Sequence, residues 1–229
     1  MTLYIVGTPI GNLEDITLRA LRILKEVDFI LAEDTRVTKK LLARHQITTP
    51  LISYHQHSRL HKVDYITQLL KNGKNLALVS DAGTPGISDP GNKLIAELLE
   101  RPIDGLQISP LPGPSALTAL ASISGMPTDN LTFLGFAPHK KGRKKYFEKA
   151  LANKMPVIFF ESKHRIKKTL EELRAQIVTS EANYDIVVGR ELTKKFERVY
   201  RGDIDSVINQ ITEATPKGEF VIAVHKQKS

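Results

Sequence analysis

Three short stretches concentrate the residues that could bind a ligand. They are Gly7-Thr8-Pro9-Ile10-Gly11-Asn12, the eleven residues Asp81 to Gly91 (DAGTPGISDPG), and Pro112-Gly113-Pro114-Ser115-Ala116. Glycine lets a backbone approach a ligand closely or turn through positive φ, and proline stiffens the loop around it. The middle stretch holds three Gly and two Pro, and Asp81, Ser88 and Asp89 are among its polar side chains. Taken singly, each is also what an ordinary tight turn looks like. Three of them converging on one sheet edge would make a rigid pocket lined by backbone.

Two phosphate-binding readings fail on inspection. GTPIGN is not G-x-G-x-x-G. Gly86–Lys93 reads G-x-x-x-x-G-N-K, with an extra Asn and no following Ser or Thr. No Lys or Arg lies within 81–91 to meet a triphosphate. An acidic, hydroxyl-bearing loop suits a ligand with hydroxyls, an amine or a positive centre.

Other chemistry is narrowed by composition. The 229 residues contain no Cys, which excludes disulfides, thiolate zinc sites, Fe–S clusters and a Cys nucleophile. His55, His57 and His61 stand two and four residues apart, but no H-E-x-x-H pattern or third ligand accompanies them; no metal is expected. Phe159-Phe160 reads as core strand rather than a stacking platform. No run approaches ~18 apolar residues, and MTLYIVGTPIGNLED has neither the basic start nor the long apolar run of a signal peptide. A cytoplasmic protein without a membrane partner is expected.

Charge is unevenly spread. The chain carries 33 Lys+Arg and 25 Asp+Glu, a formal net charge of +8. Residues 1–137 hold 13 basic and 13 acidic side chains, and residues 169–229 hold 9 and 10. The window 138–168 holds 11 basic and 2 acidic, so one short segment carries the whole excess. Concentrated positive charge attracts a polyanion through phosphate contacts and counterion release, and Lys140, Lys141, Arg143, Lys144 and Lys145 are the expected contacts. Such a run also occurs as a plain solvated face. Aromatic interleaving is thin, so backbone attraction rather than base stacking is expected.

The elements that must hold these loops alternate. Strands are expected at Leu3–Val6, Asp28–Ala32, Leu51–Ser53, Leu76–Ser80 and Gln107–Pro110, then at Leu131–Gly135, Val157–Glu161, Asp185–Gly189 and Phe220–Val224, with a short one at Arg198–Arg201. Helical patterns fall near 14–26, 35–44, 58–72, 91–100, 114–124, 143–152, 165–176 and 203–213. Strand–helix alternation predicts an α/β chain with largely parallel pairing. The turn-rich ASISGMPTDN at 121–130 places a boundary between an N-terminal domain, 1–122, and a C-terminal domain, 123–229. In an open α/β sheet a ligand sits outside the carboxyl ends of the strands, where all three Gly/Pro loops fall.

Longer blocks resemble a known family. VGTPIGNLEDITLRAL (6–21), AEDTR (32–36), ALVSDAGTPGISDPG (77–91), PLPGPSALTAL (110–120), GMPTDNLTFLGFAP (125–138), FFESKHR (159–165), GRELTKKFE (189–197) and KGEFVIAV (217–224) occur in order. Together they resemble the bacterial small-subunit ribosomal RNA cytidine 2′-O-methyltransferases of the tetrapyrrole methylase superfamily. Departures are small: HQH at 55–57 where an acidic middle residue is common, and Lys163 before His164 where Pro is common. The resemblance implies two α/β domains with S-adenosylmethionine in the cleft between them, and a homodimer acting on 16S ribosomal RNA of the small subunit. Carried over block by block, Asp81, Ala82, Gly83, Thr84, Ile87 and Ser88 would hold the donor's methionine part, with Ser115 and Ala116 beside them. Phe136, Glu161, Arg190, Leu192, Gly218, Glu219 and Phe220 would surround the adenosine or close the cleft. The implied reaction is attack of a ribose 2′-oxygen on the donor methyl, for which Glu33 and Asp34 are the candidate bases and Asn12 and Arg36 orienting or phosphate-contacting groups. Asp34 before Thr35–Leu42 also reads as a helix N-cap. A tetrapyrrole or corrinoid methyltransferase of the same superfamily, or a nucleic-acid-binding module whose loops are only turns, are the competing readings.

Overall fold

The computed structural model describes residues 1–55, 60–89, 91–180, 182–213 and 218–227. Among them the chain forms two compact units, Met1–Ser115 and Ala116–Ser229. The sequence pattern places the break at 122/123; the division falls earlier because the helix Ala116–Ile123 packs on strands of the second unit.

In the first unit the order is β1 (Thr2–Val6), α1 (Leu18–Glu26), β2 (Phe29–Ala32), α2 (Thr35–Arg44), β3 (Leu51–Ser53), α3 (Leu60–Lys71), β4 (Leu76–Val79), α4 (Gly91–Leu99) and β5 (Gln107–Leu111). The strands form one wholly parallel sheet in the order β3-β2-β4-β1-β5. Side chains alternate between its faces, as a pleated strand requires. Val6, Ile30, Ala32, Ala77 and Val79 pack under α1 and α2, whereas Leu3, Ile5, Leu31, Leu76 and Leu78 pack under α3 and α4. Strands buried on both faces explain the near-continuous apolar runs. The helix expected from residue 14 begins at Leu18, since Thr17 is extended and its hydroxyl accepts the Ala20 N–H at 3.1 Å as N-cap; residues 13–15 form a separate 3-10 turn.

The second unit runs α5 (Ala116–Ile123), β6 (Thr132–Phe136), α6 (Arg143–Leu151), β7 (Val157–Ser162), α7 (Ile166–Ser180), β8 (Tyr184–Arg190), β9 (Arg198–Gly202), α8 (Ile204–Glu213) and β10 (Glu219–Lys226). Its sheet has the order β6-β7-β10-β8-β9. Only β6 and β7 pair in parallel; β10 lies antiparallel between β7 and β8, and β8 pairs antiparallel with β9. This corrects the expectation of largely parallel pairing for this half. β8 and β9 are joined by seven residues without a helix, a connection that can only fold back. One sheet face buries Val157, Phe159, Ile186, Val188 and Ile222 against α6, α7 and α8. Phe159 is core as expected, while Phe160 faces away and meets Phe133 and Phe136 edge-on at 4.9 and 5.4 Å.

Candidate active site

The three Gly/Pro loops do meet at the carboxyl edge of the first sheet. β1 lies between β4 and β5, so the turns leaving all three strands start side by side. Thr8 and Gly83 exchange backbone hydrogen bonds, Thr8 N–H to Gly83 C=O at 2.9 Å and Gly83 N–H to Thr8 C=O at 3.1 Å. The Thr8 hydroxyl is buried and donates to the Ser80 and Gly83 carbonyls at 3.2 and 3.3 Å. The Thr84 hydroxyl reaches the Pro114 carbonyl at 3.3 Å, linking the β4 loop to the β5 loop. Gly7 and Gly113 touch through their backbones: a Cβ on Gly7 would stand 2.8 Å from the Gly113 Cα, and one on Gly113 would stand 2.9 Å from the Gly7 Cα. Neither position tolerates a side chain without the loops separating.

The β4 loop is also fastened to its own helix. One oxygen of Asp89 accepts the Gly86 N–H at 2.6 Å and the Gly91 N–H at 2.9 Å. Asp89 therefore shapes the loop rather than facing a ligand as a free carboxylate. Gly83 and Gly86 have φ of 82° and 89°, and Ser88 holds φ of 66°, a left-handed conformation uncommon outside glycine. Such strain persists where the surroundings over-determine it, often beside a ligand.

Acidic groups gather at this edge. Helices leave β1 and β2 on one face and β4 on the other, which opens crevices on either side of the β4 terminus. Glu33, at the end of β2, lines a small pocket with Tyr54, Ser80, Pro85 and Asp89. Burial raises its pKa first, and the nearby charges of Asp81, Asp89 and Asp34 raise it further. Asp81 is exposed and accepts the Asp34 N–H at 2.9 Å, tying the β2 and β4 ends together. Asp34 itself is the N-cap of α2, accepting the Arg36 N–H at 2.8 Å, and is gripped by the Arg36 guanidinium at 2.7 Å. The Arg36 side chain, then its N–H, holds the carboxyl down at about 2. So strongly stabilised an anion is a poor proton acceptor, and of the two expected bases Glu33 is the one the geometry favours. Asn12, expected to orient substrate, accepts the Glu14 N–H at 3.1 Å and starts the 3-10 turn.

In the second unit, strand register brings several candidates into one row. Glu161 of β7 stands opposite Phe220 of β10, which stands opposite Arg190 of β8. Phe136 ends β6 at the same edge and is half-exposed. Leu192 is buried against Gly189. Gly218 abuts the Glu191 carboxyl so closely that a Cβ could not fit. That carboxyl accepts the Glu219 N–H at 2.8 Å and the Lys194 ammonium at 3.0 Å, and Lys194 also reaches Glu219 at 2.7 Å. Burial works against ionisation of Glu191, but the Glu219 amide and Lys194 outweigh it and hold the pKa low. Glu191 and Lys194, which latch the β8–β9 turn, are absent from the sequence-based candidates; a Lys three residues after a Glu is the signal that points to them.

Two expectations meet a different environment. Glu161 is 1% exposed. Its carboxylate oxygens are taken by Arg165 at 2.7 Å and the Thr169 hydroxyl at 2.6 Å, so the side chain is engaged within its own unit. Arg143 is likewise buried and bonded to Glu172, Thr169 and the Pro138 carbonyl, which removes it from the expected polyanion contacts. Lys140, Lys141, Lys144 and Lys145 are exposed as expected. His57 lies outside the described residues; among those described, no group of three His, Asp or Glu could hold a metal ion, and no helix is long and apolar enough to cross a membrane.

The sequence profile of the tetrapyrrole (corrin/porphyrin) methylases matches residues 2–208. The chain belongs to this family. A Thermotoga maritima protein named ribosomal RNA small subunit methyltransferase I is 40% identical over 222 residues, covering 97% of each chain. Bacillus subtilis and Halalkalibacterium halodurans proteins of the same name are 46% and 44% identical over 97% of this chain and 74% and 75% of their own. Among solved structures, a cobalt precorrin-4 methyltransferase of cobalamin biosynthesis superposes with a TM-score of 0.68 at 20% identity, over 97% of this chain and 94% of that one. A uroporphyrin-III-C-methyltransferase from Thermus thermophilus gives 0.64 at 18%, over 97% and 93%. These likenesses establish the two-unit α/β tetrapyrrole methylase fold and a methyltransferase.

Proposed function

We propose that this methyltransferase uses S-adenosylmethionine to methylate the ribose 2′-hydroxyl of a cytidine in 16S ribosomal RNA, acting in the cytoplasm as a homodimer on the small ribosomal subunit. The observation that carries donor binding is the interlocked, acidic, backbone-lined edge of the first sheet. Its fit to the donor is chemical: Glu33, Asp34, Asp81 and Asp89 give this edge a negative field that suits an ammonium and a sulfonium and repels a triphosphate. When bound, the donor supplies an electrophilic methyl group on positively charged sulfur.

The chain's own groups divide the remaining work. The 81–88 loop, with Ser115 and Ala116, is proposed to hold the methionine part. Phe136, Arg190, Leu192, Gly218, Glu219 and Phe220 are carried by the resemblance as adenosine contacts. Glu33 accepts the proton of the attacking hydroxyl, which its raised pKa suits better than an ordinary glutamate. Arg36, 87% exposed at its side chain, offers one edge to Asp34 and is proposed to meet a phosphate with the rest, and Asn12 of the β1 loop is proposed as a second orienting group. Lys140, Lys141, Lys144 and Lys145 draw in the RNA backbone.

The relatives' names favour ribosomal RNA over a tetrapyrrole, and the basic window agrees with them. Incubating the protein with radiolabelled donor and either unmethylated small subunits or a uroporphyrinogen-type precursor decides between the two. Label in the subunit RNA alone is expected; label in the tetrapyrrole alone overturns the reading.

A further inference from the structure

Residues 137–142 lead from β6 into α6 and carry Lys140 and Lys141. Both carbonyls at the start of this loop are held by buried or nearly buried guanidinium groups. Arg165 donates to the Ala137 carbonyl at 2.8 Å, and Arg143 donates to the Pro138 carbonyl at 2.7 Å. Behind them lies Glu161, whose carboxylate bonds Arg165 at 2.7 Å and stands 3.7 Å from Arg143. Thr169 closes the ring: its hydroxyl accepts from Arg143 at 2.7 Å and donates to Glu161 at 2.6 Å. Glu172 takes the far side of Arg143 at 2.7 Å.

We infer that the Arg143–Glu161–Arg165–Thr169 cluster is a positioning device that fixes the loop 137–142 and so presents Lys140 and Lys141, with Lys144 and Lys145 at the start of α6, to the RNA backbone. This rests on the RNA reading above. Burying two arginines around one carboxylate is a costly way merely to fill a core, since apolar side chains of similar volume do that as well or better. What the charged cluster supplies is direction: planar forks that grip two successive carbonyls of one loop. The loop it grips opens the segment in which the chain's positive charge is concentrated. Lys144 and Lys145 sit in the first turn of α6, where no acidic residue stands and the helix dipole disfavours cations, although Lys144 lies 3.9 Å from Glu148 one turn on. A surface so disfavoured in isolation gains when an anion covers it. Glu161 and Arg143 thus act through the loop, Glu161 without touching the donor and Arg143 without touching RNA.

Arg165→Lys and Thr169→Val test this, because Glu161→Gln would leave two buried cations and risk the fold. Arg165→Lys keeps the charge beside Glu161 but loses the fork; Thr169→Val keeps the shape but loses the hydroxyl. Thr169→Ser restores the hydroxyl. Hydrogen exchange of the Ala137 and Tyr146 amides, which bond the Phe160 and Gly142 carbonyls at the two ends of the loop, measured on the protein without RNA, is expected to speed up in Arg165→Lys and Thr169→Val and to return in Thr169→Ser. Affinity for small-subunit RNA is expected to fall about tenfold, the loss that loose support of a binding group brings, with its salt slope kept because the lysines remain. Donor affinity is expected to stay within about twofold, a smaller change than removal of one hydrogen bond to the donor would bring. Unchanged exchange at these two amides, or lost donor affinity with RNA affinity intact, overturns the inference. A failure of the RNA reading is seen separately, as lysine variants that bind RNA with an unaltered salt slope.

Discussion

Two adjacent carboxylates, Glu33 and Asp34, have opposite fates. Asp34 is an N-cap clamped by Arg36 and ionises at about 2, whereas Glu33 is half-buried among like charges and its pKa is raised. Glu33→Gln is therefore expected to lower kcat by about 10²-fold or more, the usual worth of a general base, with Asp34→Asn far milder. The acid limb of the pH–rate profile should lie above the ordinary glutamate range, since the base must be deprotonated. Stability moves the other way. A carboxyl whose folded pKa exceeds its unfolded value favours the fold fully below the unfolded pKa and loses that contribution as pH rises through the folded one. Glu33→Gln should thus raise Tm at neutral pH, which a thermal scan of the two proteins checks; an unchanged Tm with unchanged kcat would remove Glu33 from the site. Asp34 has the reverse sign: its stabilising contribution is present above the usual aspartate value and is lost as pH falls toward 2. The cap is legible in the sequence from Asp before Thr-Arg. The guanidinium clamp is not, because spacing does not show where Arg36 points.

At the scale of elements, Gly7 and Gly113 carry the sharpest test. Each stands where a Cβ would strike the other's backbone, so Gly7→Ala or Gly113→Ala must part the β1 and β5 loops. Overpacking of this kind costs about 1–3 kcal/mol, and donor affinity by calorimetry should fall with it while second-unit folding is spared. Retained donor affinity would mean that the interlock does not shape the site. The ten strands and eight helices of the described residues are legible as alternating apolar patterns, to within a few residues at their ends. Pairing direction in the second sheet is not. Periodicity reports which face is buried, and says nothing of a late strand such as β10 slipping between β7 and β8. Nor does ASISGMPTDN mark the unit boundary, because α5 packs on the second sheet and so belongs to the second unit.

Over the whole molecule, the uneven spread of charge is the property that bears on the proposed RNA substrate. The 138–168 window contains eleven basic residues, yet Arg143 and Arg165 are spent on internal carbonyls and carboxylates. Composition records charge without direction, which is why Arg143 reads as a surface group in the sequence. Replacing Lys140, Lys141, Lys144 and Lys145 with Gln should weaken RNA binding and reduce the slope of log K against log salt by up to about 3.6, at roughly 0.7 to 0.9 for each phosphate no longer neutralised. A slope identical to that of the unaltered protein would take this face out of the interface. The loops, by contrast, are legible almost in full, since Gly and Pro spacing is a backbone property that the sequence states directly.

The chemical identity of the product tests the central claim most directly. Small-subunit RNA treated with the protein and donor is digested to nucleosides and resolved by mass spectrometry. The account requires 2′-O-methylcytidine, and much less of it when Glu33→Gln or Gly113→Ala replaces the unaltered chain at equal concentration and short reaction time. Methyl found on a base, or no methylated nucleoside alongside a methylated tetrapyrrole, would contradict it.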